Sequence, residues 1–179
     1  MPPSAIKTIK DVIFWQYTHI IAASSGMGEK NFGFRMAKFK QLQLGQIEWS
    51  STVREWLKEH EKLNECIYCG SKDNLTTEHI LPTSRGGPDI PDNVIKACKS
   101  CNSSKGSKRL YEWKGVDNKN SHSRIAEGKY LKLLYKLHEE IGTLNSGVLC
   151  PNCDMIKLCA DAETTEKLSV YCLEGIFNK

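Results

Sequence analysis

Residues 66–106 read CIYCGSKDNLTTEHILPTSRGGPDIPDNVIKACKSCNSSKG, and they contain two CxxC pairs, Cys66 with Cys69 and Cys98 with Cys101. Two thiolates three positions apart on a tight turn can face the same tetrahedral zinc ion, and a second turn of this kind completes the four ligands. Gly70 directly follows the first pair, where a zinc knuckle favours glycine for its turn. The spacing therefore predicts a structural zinc site that fastens the two ends of this segment together.

Four further cysteines lie later in the chain: Cys150, Cys153, Cys159 and Cys172. The first two form another CxxC pair, but the remaining spacings are irregular. This pattern leaves two interpretations open, a second zinc site or buried free thiols in a small C-terminal subdomain.

An even number of cysteines in a short chain is also typical of secreted, disulfide-bonded proteins. The first twenty residues, MPPSAIKTIKDVIFWQYTHI, mix lysine and aspartate into their apolar stretch and lack an uninterrupted signal-peptide core. No apolar run approaches the roughly 18 residues that a membrane span needs. We therefore expect a cytoplasmic protein whose cysteines are reduced.

The composition is that of a soluble globular protein, with 40% apolar and 26% charged residues among 179. Lysine and arginine number 25 against 21 acidic residues, so the net charge of +4 is compatible with an anionic partner without demanding one. Between Lys99 and Lys114, however, the basic residues outnumber the acidic ones by five to one. Such a run is either a solvated face or a surface for nucleic acid.

The pattern of apolar residues divides the chain into three regions. In residues 1–62 the pattern predicts three helices, each with one apolar face. The apolar face of the first consists of Ile6, Ile9, Ile13, Tyr17 and Ile20, and that of the second, which Asn31 caps, consists of Phe32, Met36, Phe39 and Leu42. The third helix begins at a capping box of Thr52 and Glu55. Residues 116–179 predict a helix that begins at Ser123 and ends near Gly142, followed by the small cysteine-containing subdomain.

Residues 63–115 have a different character, because loop-forming residues and cysteines dominate there. Short β-prone pieces occur at 75–81 and 94–97, and Gly106 limits a helix that starts near Cys101 to a turn or two. The fold class we predict is therefore α+β and mostly helical, with a zinc-stabilised module between N-terminal and C-terminal helices.

Between the two cysteine pairs lies a set of residues suited to phosphodiester hydrolysis. Glu78 and His79 are adjacent, and Asn102 directly follows the last cysteine. An imidazole can take up a proton near neutral pH, and carboxylate and amide oxygens are hard ligands for a divalent cation. The zinc would bring these residues close together by joining the ends of the segment.

At these residues the sequence resembles the HNH endonucleases, the ββα-metal nucleases with a four-cysteine zinc site. The resemblance covers residues 66–106 and depends on EHxxPxSxGG, then DN, then CxxCNxxKG, which occur in the order and spacing of that family. It implies that His79 is the general base and that Asn93 ties down the loop and orients His79. It also implies that Asn102, together with Glu78 where many members have aspartate, holds one Mg²⁺ or Mn²⁺.

The resemblance implies a metal-dependent endonuclease that hydrolyses DNA and leaves a 5′-phosphate and a 3′-hydroxyl. Lys105 would contact a phosphate, and Lys108 and Arg109 complete the predicted nucleic-acid-binding residues. Restriction or defence, mobile-element cleavage and repair nicking all fit, RNA remains an alternative substrate, and double-strand cutting by one active site would call for a homodimer.

A non-catalytic zinc-ribbon module that binds nucleic acid is the alternative. It explains the cysteines and the basic run equally well, but it gives no reason for the Glu78-His79 pair or for Asn102 beside a zinc ligand.

Overall fold

The computed structural model of the protein describes residues 4–27, 31–49, 54–115, 123–147, 150–161 and 168–178. Helices dominate these residues, and a two-stranded antiparallel sheet lies between the N-terminal and C-terminal helices. The predicted α+β class, mostly helical with a small central module, is therefore confirmed.

The N-terminal region forms helices α1 (Ile9–Ser24), α2 (Phe32–Gln43) and α3 (Glu55–His60). The Thr8 side chain caps α1 by accepting a 3.2 Å hydrogen bond from the amide of Asp11, and Asn31 caps α2 as the sequence predicts. Thr52, the other half of the predicted capping box, lies outside the described residues. Glu55 instead accepts a 2.6 Å hydrogen bond from the Tyr17 hydroxyl in the interior.

The central region is a β hairpin followed directly by a short helix. Strands β1 (Leu75–His79) and β2 (Val94–Cys98) pair so that Leu75 lies opposite Cys98 and His79 opposite Val94. Helix α4 (Lys99–Lys105) continues from β2 and ends at Gly106, whose φ of 53° favours glycine. This register puts the second cysteine pair at one end of the hairpin and His79 at the other.

The C-terminal region contributes α5 (Leu110–Lys114), α6 (Ser123–Glu140) and α7 (Ile156–Asp161), with a 3₁₀ turn at Val170–Leu173. Helix α6 packs against α1 and α3. One continuous core draws on all three sequence regions and includes Ile13, Tyr17, Ile67, Ile80, Tyr130 and Leu134. The three predicted regions therefore share one core, and the boundaries at residues 62 and 115 stay predictions.

Two predicted core positions are more exposed than expected. Phe32 is the first residue of α2 and packs only one edge of its ring against Trp15, with ring centroids 5.8 Å apart. Ile141 lies one residue beyond the end of α6, where the helical periodicity no longer directs it inward.

Among the described helices, none combines the length and the apolar character that crossing a bilayer requires.

Candidate active site and zinc centre

The first four cysteines converge at the open end of the hairpin. The sulfur atoms of Cys66, Cys69, Cys98 and Cys101 all lie within 4.8 Å of one another, and those of Cys69 and Cys98 are 3.8 Å apart. Zinc–sulfur bonds of about 2.3 Å give a tetrahedron with sulfur–sulfur edges of about 3.8 Å. The predicted four-cysteine cluster is confirmed, and its donor set fits a structural zinc ion.

The protein environment already favours a thiolate at one of these cysteines. Burial alone would raise the pKa of Cys66, but hydrogen bonds from the backbone of Cys98, Cys69 and Tyr68 lower it to about 7. Because zinc binds the thiolate, this lowering assists metal binding near neutral pH.

His79 is the last residue of β1, and its side chain is 28% exposed. Its Nε2 atom lies 2.9 Å from Oδ1 of Asp89, a residue of the loop that connects the strands. The imidazole is therefore within reach of a solvent molecule or a substrate.

Asn93 holds the loop between the strands from its interior. Its Oδ1 atom accepts a 2.8 Å hydrogen bond from the amide of Leu81, and its Nδ2 atom donates to the carbonyl oxygens of Leu81 and Pro88, each at 2.9 Å. The loop also folds tightly at Gly87, where a Cβ atom would lie 2.0 Å from the Leu81 carbonyl oxygen. The path of the chain just after His79 is thus fixed by a buried amide and by a glycine.

Glu78 lies on the opposite face of β1 from His79, because neighbouring strand residues point to opposite faces. Its side chain is only 5% exposed and accepts a 2.7 Å hydrogen bond from the Tyr68 hydroxyl. The other carboxylate oxygen pairs at 2.5 Å with the ammonium group of Lys105. Lys105 also donates to the His79 carbonyl oxygen at 3.0 Å.

Lys105, which the resemblance places against a phosphate, is buried in this structure, and the phosphate contact stays a prediction. Its ammonium group acts as the counter-ion of Glu78, and burial of either charge without the other would be costly. Lys105 faces the sheet because the Glu78 carboxylate on β1 lies opposite it.

Asn102 packs on the same face of the sheet as Glu78. Its Nδ2 atom donates a 3.0 Å hydrogen bond to Oγ1 of Thr76, which is two residues before Glu78 on β1. The structure therefore brings Glu78, Asn102 and Lys105 together on one face. Lys105 links this group to His79, because its ammonium group donates to the His79 carbonyl oxygen.

Lys108 and Arg109 differ sharply in their surroundings. Lys108 is exposed, whereas Arg109 is 2% exposed and pairs at 2.7 Å with Asp154. The same guanidinium donates to the carbonyl oxygens of Glu174 and Phe177, at 3.1 and 3.0 Å. Arg109 thus binds the C-terminal segment, and its burial argues against the expected contact with nucleic acid.

The later cysteines form a looser arrangement. The Cys159 sulfur lies 3.4 Å from the Ser169 hydroxyl, which lies 3.8 Å from the Cys172 sulfur. Cys153 accepts a 3.4 Å hydrogen bond from the amide of Met155. Among the described side chains only the first four cysteines form a metal-binding cluster, but the side chain of Cys150 lies outside them. The second zinc site therefore stays a prediction.

Asp89 and Tyr68 contact the site but carry no sequence signal that identifies them. Asp89 is one of two aspartates in the stretch PDIPDN, and only the folded loop distinguishes it from Asp92. Tyr68 lies between the first two cysteines, where any residue fits the CxxC spacing.

Comparison with known proteins agrees with the sequence resemblance. Residues 66–112 match the profile of a family described as HNH endonuclease. A Bacillus subtilis (strain 168) protein, the "SPbeta prophage-derived putative HNH endonuclease YoqL", is 28% identical over an alignment of 134 residues that covers 67% of this chain and 52% of that protein. The chain thus spans about half the length of this relative. No solved structure matches the chain significantly.

Proposed function

We propose that this chain, whose residues 66–112 match the HNH endonucleases, is a metal-dependent nuclease that hydrolyses phosphodiester bonds in DNA. The observation that carries the proposal is the placement of His79: an accessible imidazole at the end of a strand, beside a loop anchored by buried Asn93. A zinc-binding module without catalysis would have no need for such a placement.

His79 acts as the general base. Neutral imidazole takes a proton from water, the water oxygen forms a bond to phosphorus, and the bond from phosphorus to the 3′-oxygen breaks. The leaving 3′-oxygen takes up a proton from a solvent water molecule. The products are a 5′-phosphate and a 3′-hydroxyl. The thiolate-bound zinc takes no part in these steps, because four sulfur ligands leave it no open position.

Glu78 and Asn102 would hold Mg²⁺ or Mn²⁺. Their carboxylate and amide oxygens suit a hard cation. Both Glu78 oxygens have partners in this structure, the Lys105 ammonium group and the Tyr68 hydroxyl, so cation binding requires Lys105 to move away from the carboxylate. The bound cation would supply neutralisation of the charge on the phosphate and on the leaving 3′-oxygen. Asn102 reaches the sheet through Nδ2, and its amide oxygen is the atom suited to the metal.

The exposed lysines near α4, among them Lys99 and Lys108, would contact the DNA backbone. The prophage origin stated for the Bacillus subtilis relative favours a role in defence or on a mobile element over repair. A homodimer would supply the second active site that cutting both strands requires.

Supercoiled plasmid incubated with Mg²⁺, Mn²⁺ or EDTA tests this function. We expect the wild type to nick or linearise the plasmid with either metal, EDTA to abolish cutting, and His79→Ala to be inactive. His60→Ala, which removes an exposed histidine from α3, is the matched control and should cut normally.

The binding-module alternative replaces the nuclease if two results are found together. Wild type and His79→Ala would both retard the plasmid in a gel, and neither would cut the plasmid or a matched RNA duplex. Cutting of the RNA duplex alone would reassign the substrate, and full activity of His79→Ala would refute the role of the base.

A further inference from the structure

The contact between His79 and Asp89 favours one of the two tautomers of the neutral imidazole. A carboxylate can only accept a hydrogen bond, and neutral imidazole carries one N–H group and one lone pair. Because Oδ1 of Asp89 lies 2.9 Å from Nε2, the proton of neutral His79 belongs on Nε2. The lone pair that can accept a proton is then on Nδ1.

The loop holds Asp89 in place from both sides. The carbonyl oxygen of Pro88, the residue before it, accepts a 2.9 Å hydrogen bond from the Asn93 side chain. The carbonyl oxygen of Ile90, the residue after it, accepts a 2.9 Å hydrogen bond from the Asn93 amide. A buried residue therefore anchors both neighbours of Asp89, although the Asp89 side chain itself is 85% exposed.

Helix α6 supports the same loop. Lys129 donates to the carbonyl oxygens of Pro91 and Val94, at 3.2 and 2.9 Å, and Lys136 pairs with Asp92 at 2.6 Å. The loop thus presents two aspartates to different partners: Asp89 to the imidazole and Asp92 to a lysine of α6. Substitution of Asp92 can therefore serve as a control for substitution of Asp89 in the same loop.

We propose that Asp89 is a positioning residue of the active site, which fixes His79 as the Nε2–H tautomer and directs the Nδ1 lone pair at the attacking water. When the water proton passes to Nδ1, the imidazole becomes a cation and the Asp89 carboxylate balances its charge. The inference rests on the proposed role of His79 as the base, and it adds a residue that lies outside the motif segments on which the resemblance depends.

Single-turnover cleavage by Asp89→Ala, with Asp92→Asn as the matched control, tests the contribution to rate. We expect Asp89→Ala to lower kcat by about 10- to 100-fold with little change in KM, because a misdirected base slows the chemical step without weakening binding. Asp92→Asn should keep the wild-type kcat, because its ion pair with Lys136 is exposed and adds little to the loop beyond the hydrogen bonds of Asn93 and Lys129. Asp89→Glu should recover part of the loss, because it restores the carboxylate on a longer side chain.

NMR of protein labelled with ¹⁵N at histidine tests the tautomer without any cleavage. The ring nitrogens of His79 should show Nε2 protonated in the wild type and in Asp92→Asn, with an Nε2–H signal that is lost by exchange in Asp89→Ala. A wild type protonated on Nδ1, or an Asp89→Ala variant that matches Asp92→Asn in both rate and spectrum, overturns the proposal.

The outcomes also separate this inference from the proposed function. If His79→Ala cuts as well as the wild type, the nuclease assignment of the base fails. If His79→Ala is inactive and Asp89→Ala is fully active, only the positioning role fails. A higher Mg²⁺ requirement in Asp89→Ala with an unchanged His79 spectrum overturns the positioning role and reassigns Asp89 to metal binding.

Discussion

At one end of the β hairpin four thiols converge for a metal ion, whereas around α5 the buried guanidinium of Arg109 gathers acidic side chains and carbonyl oxygens. Each cluster fixes one segment in place: the thiols join the ends of the hairpin, and Arg109 binds the C-terminal segment, which also buries Val170 and Leu173 in the core. A structural zinc contributes roughly 10–16 kcal/mol of apparent binding free energy. A buried ion pair contributes little net stability, yet losing one partner costs much.

The comparison shows how one chain uses two kinds of fastening. A zinc ion bound by the four cysteines would supply folding free energy to a hairpin of two five-residue strands, which could not persist alone. The Arg109 cluster instead selects one docking position for the C-terminal segment: Glu174 accepts hydrogen bonds from the amides of Tyr111 and Glu112, at 2.7 and 3.1 Å, at the start of α5.

Removal of the zinc should have the largest effect. A strong chelator should unfold residues 63–115, because the metal closes the hairpin, while α1 keeps the protection of its apolar core. Hydrogen exchange measured by mass spectrometry, with a metal assay beside it, checks this difference. Unchanged exchange and unchanged circular dichroism after zinc loss would contradict the zinc centre.

Replacement of Arg109 by methionine should destabilise the protein by about 3–5 kcal/mol, because Glu174 and Asp154 lose a buried cation. Urea denaturation measures the change. Arg85→Met is the matched control, since Arg85 pairs with the same Asp154 at 3.4 Å from a more exposed position. We expect it to cost less than about 1 kcal/mol. Equal costs would show that burial of the guanidinium does not matter.

The pH dependence of stability should reveal a partly buried acid beside α5. Burial raises the pKa of Glu127 from 4.5 to about 7, although the Tyr111 hydroxyl and Arg124 act in the opposite direction. The folded chain therefore binds this proton more tightly than the unfolded chain. The resulting stabilisation is complete below pH 4.5 and is lost as the pH rises to 7.

Thermal unfolding of zinc-loaded Glu127→Gln across this pH range tests the assignment. We expect the slope of stability against pH to flatten by up to about 1.4 kcal/mol per pH unit. Glu139→Gln, which changes an exposed acid of the same helix, should leave the slope as it is in the wild type. An equal slope in all three proteins would refute the shifted pKa.

Substitution of Lys108, the exposed neighbour of Arg109, should have the smallest effect on stability. Lys108→Ala should change the free energy of unfolding by no more than about 0.5 kcal/mol. It should nevertheless weaken DNA binding evenly across sequences and lower the salt slope by about one, as expected for one phosphate contact. Fluorescence anisotropy at several salt concentrations measures this, and Lys40→Ala on α2 serves as the control. An unchanged slope would remove Lys108 from the DNA surface.

The sequence predicts those structural features that depend on residues close together along the chain. Asn31 caps α2, and the spacing of the cysteines identifies the metal-binding cluster, because caps and CxxC turns are local. It does not distinguish Lys108 from Arg109, which are adjacent and carry the same charge. Arg109 is buried because Asp154 and Glu174, 45 and 65 residues later, surround it.

The same limit applies within the candidate site. The motif identifies Glu78 and His79, but the alternation of β1 sends their side chains to opposite faces. The structure therefore pairs Glu78 with Lys105, which is 27 residues away in sequence, and pairs His79 with Asp89. Such long-range pairings need the fold before they can be recognised.

The tight loop after His79 has a consequence for engineering. Gly87 and Asn93 set its path through a close approach and through buried hydrogen bonds, so most substitutions there should disrupt it. Thr83 and Ser84 in the same loop are exposed. Under the proposed function, we expect random libraries restricted to these two positions to alter substrate preference, because the scaffold that carries His79 would stay unchanged.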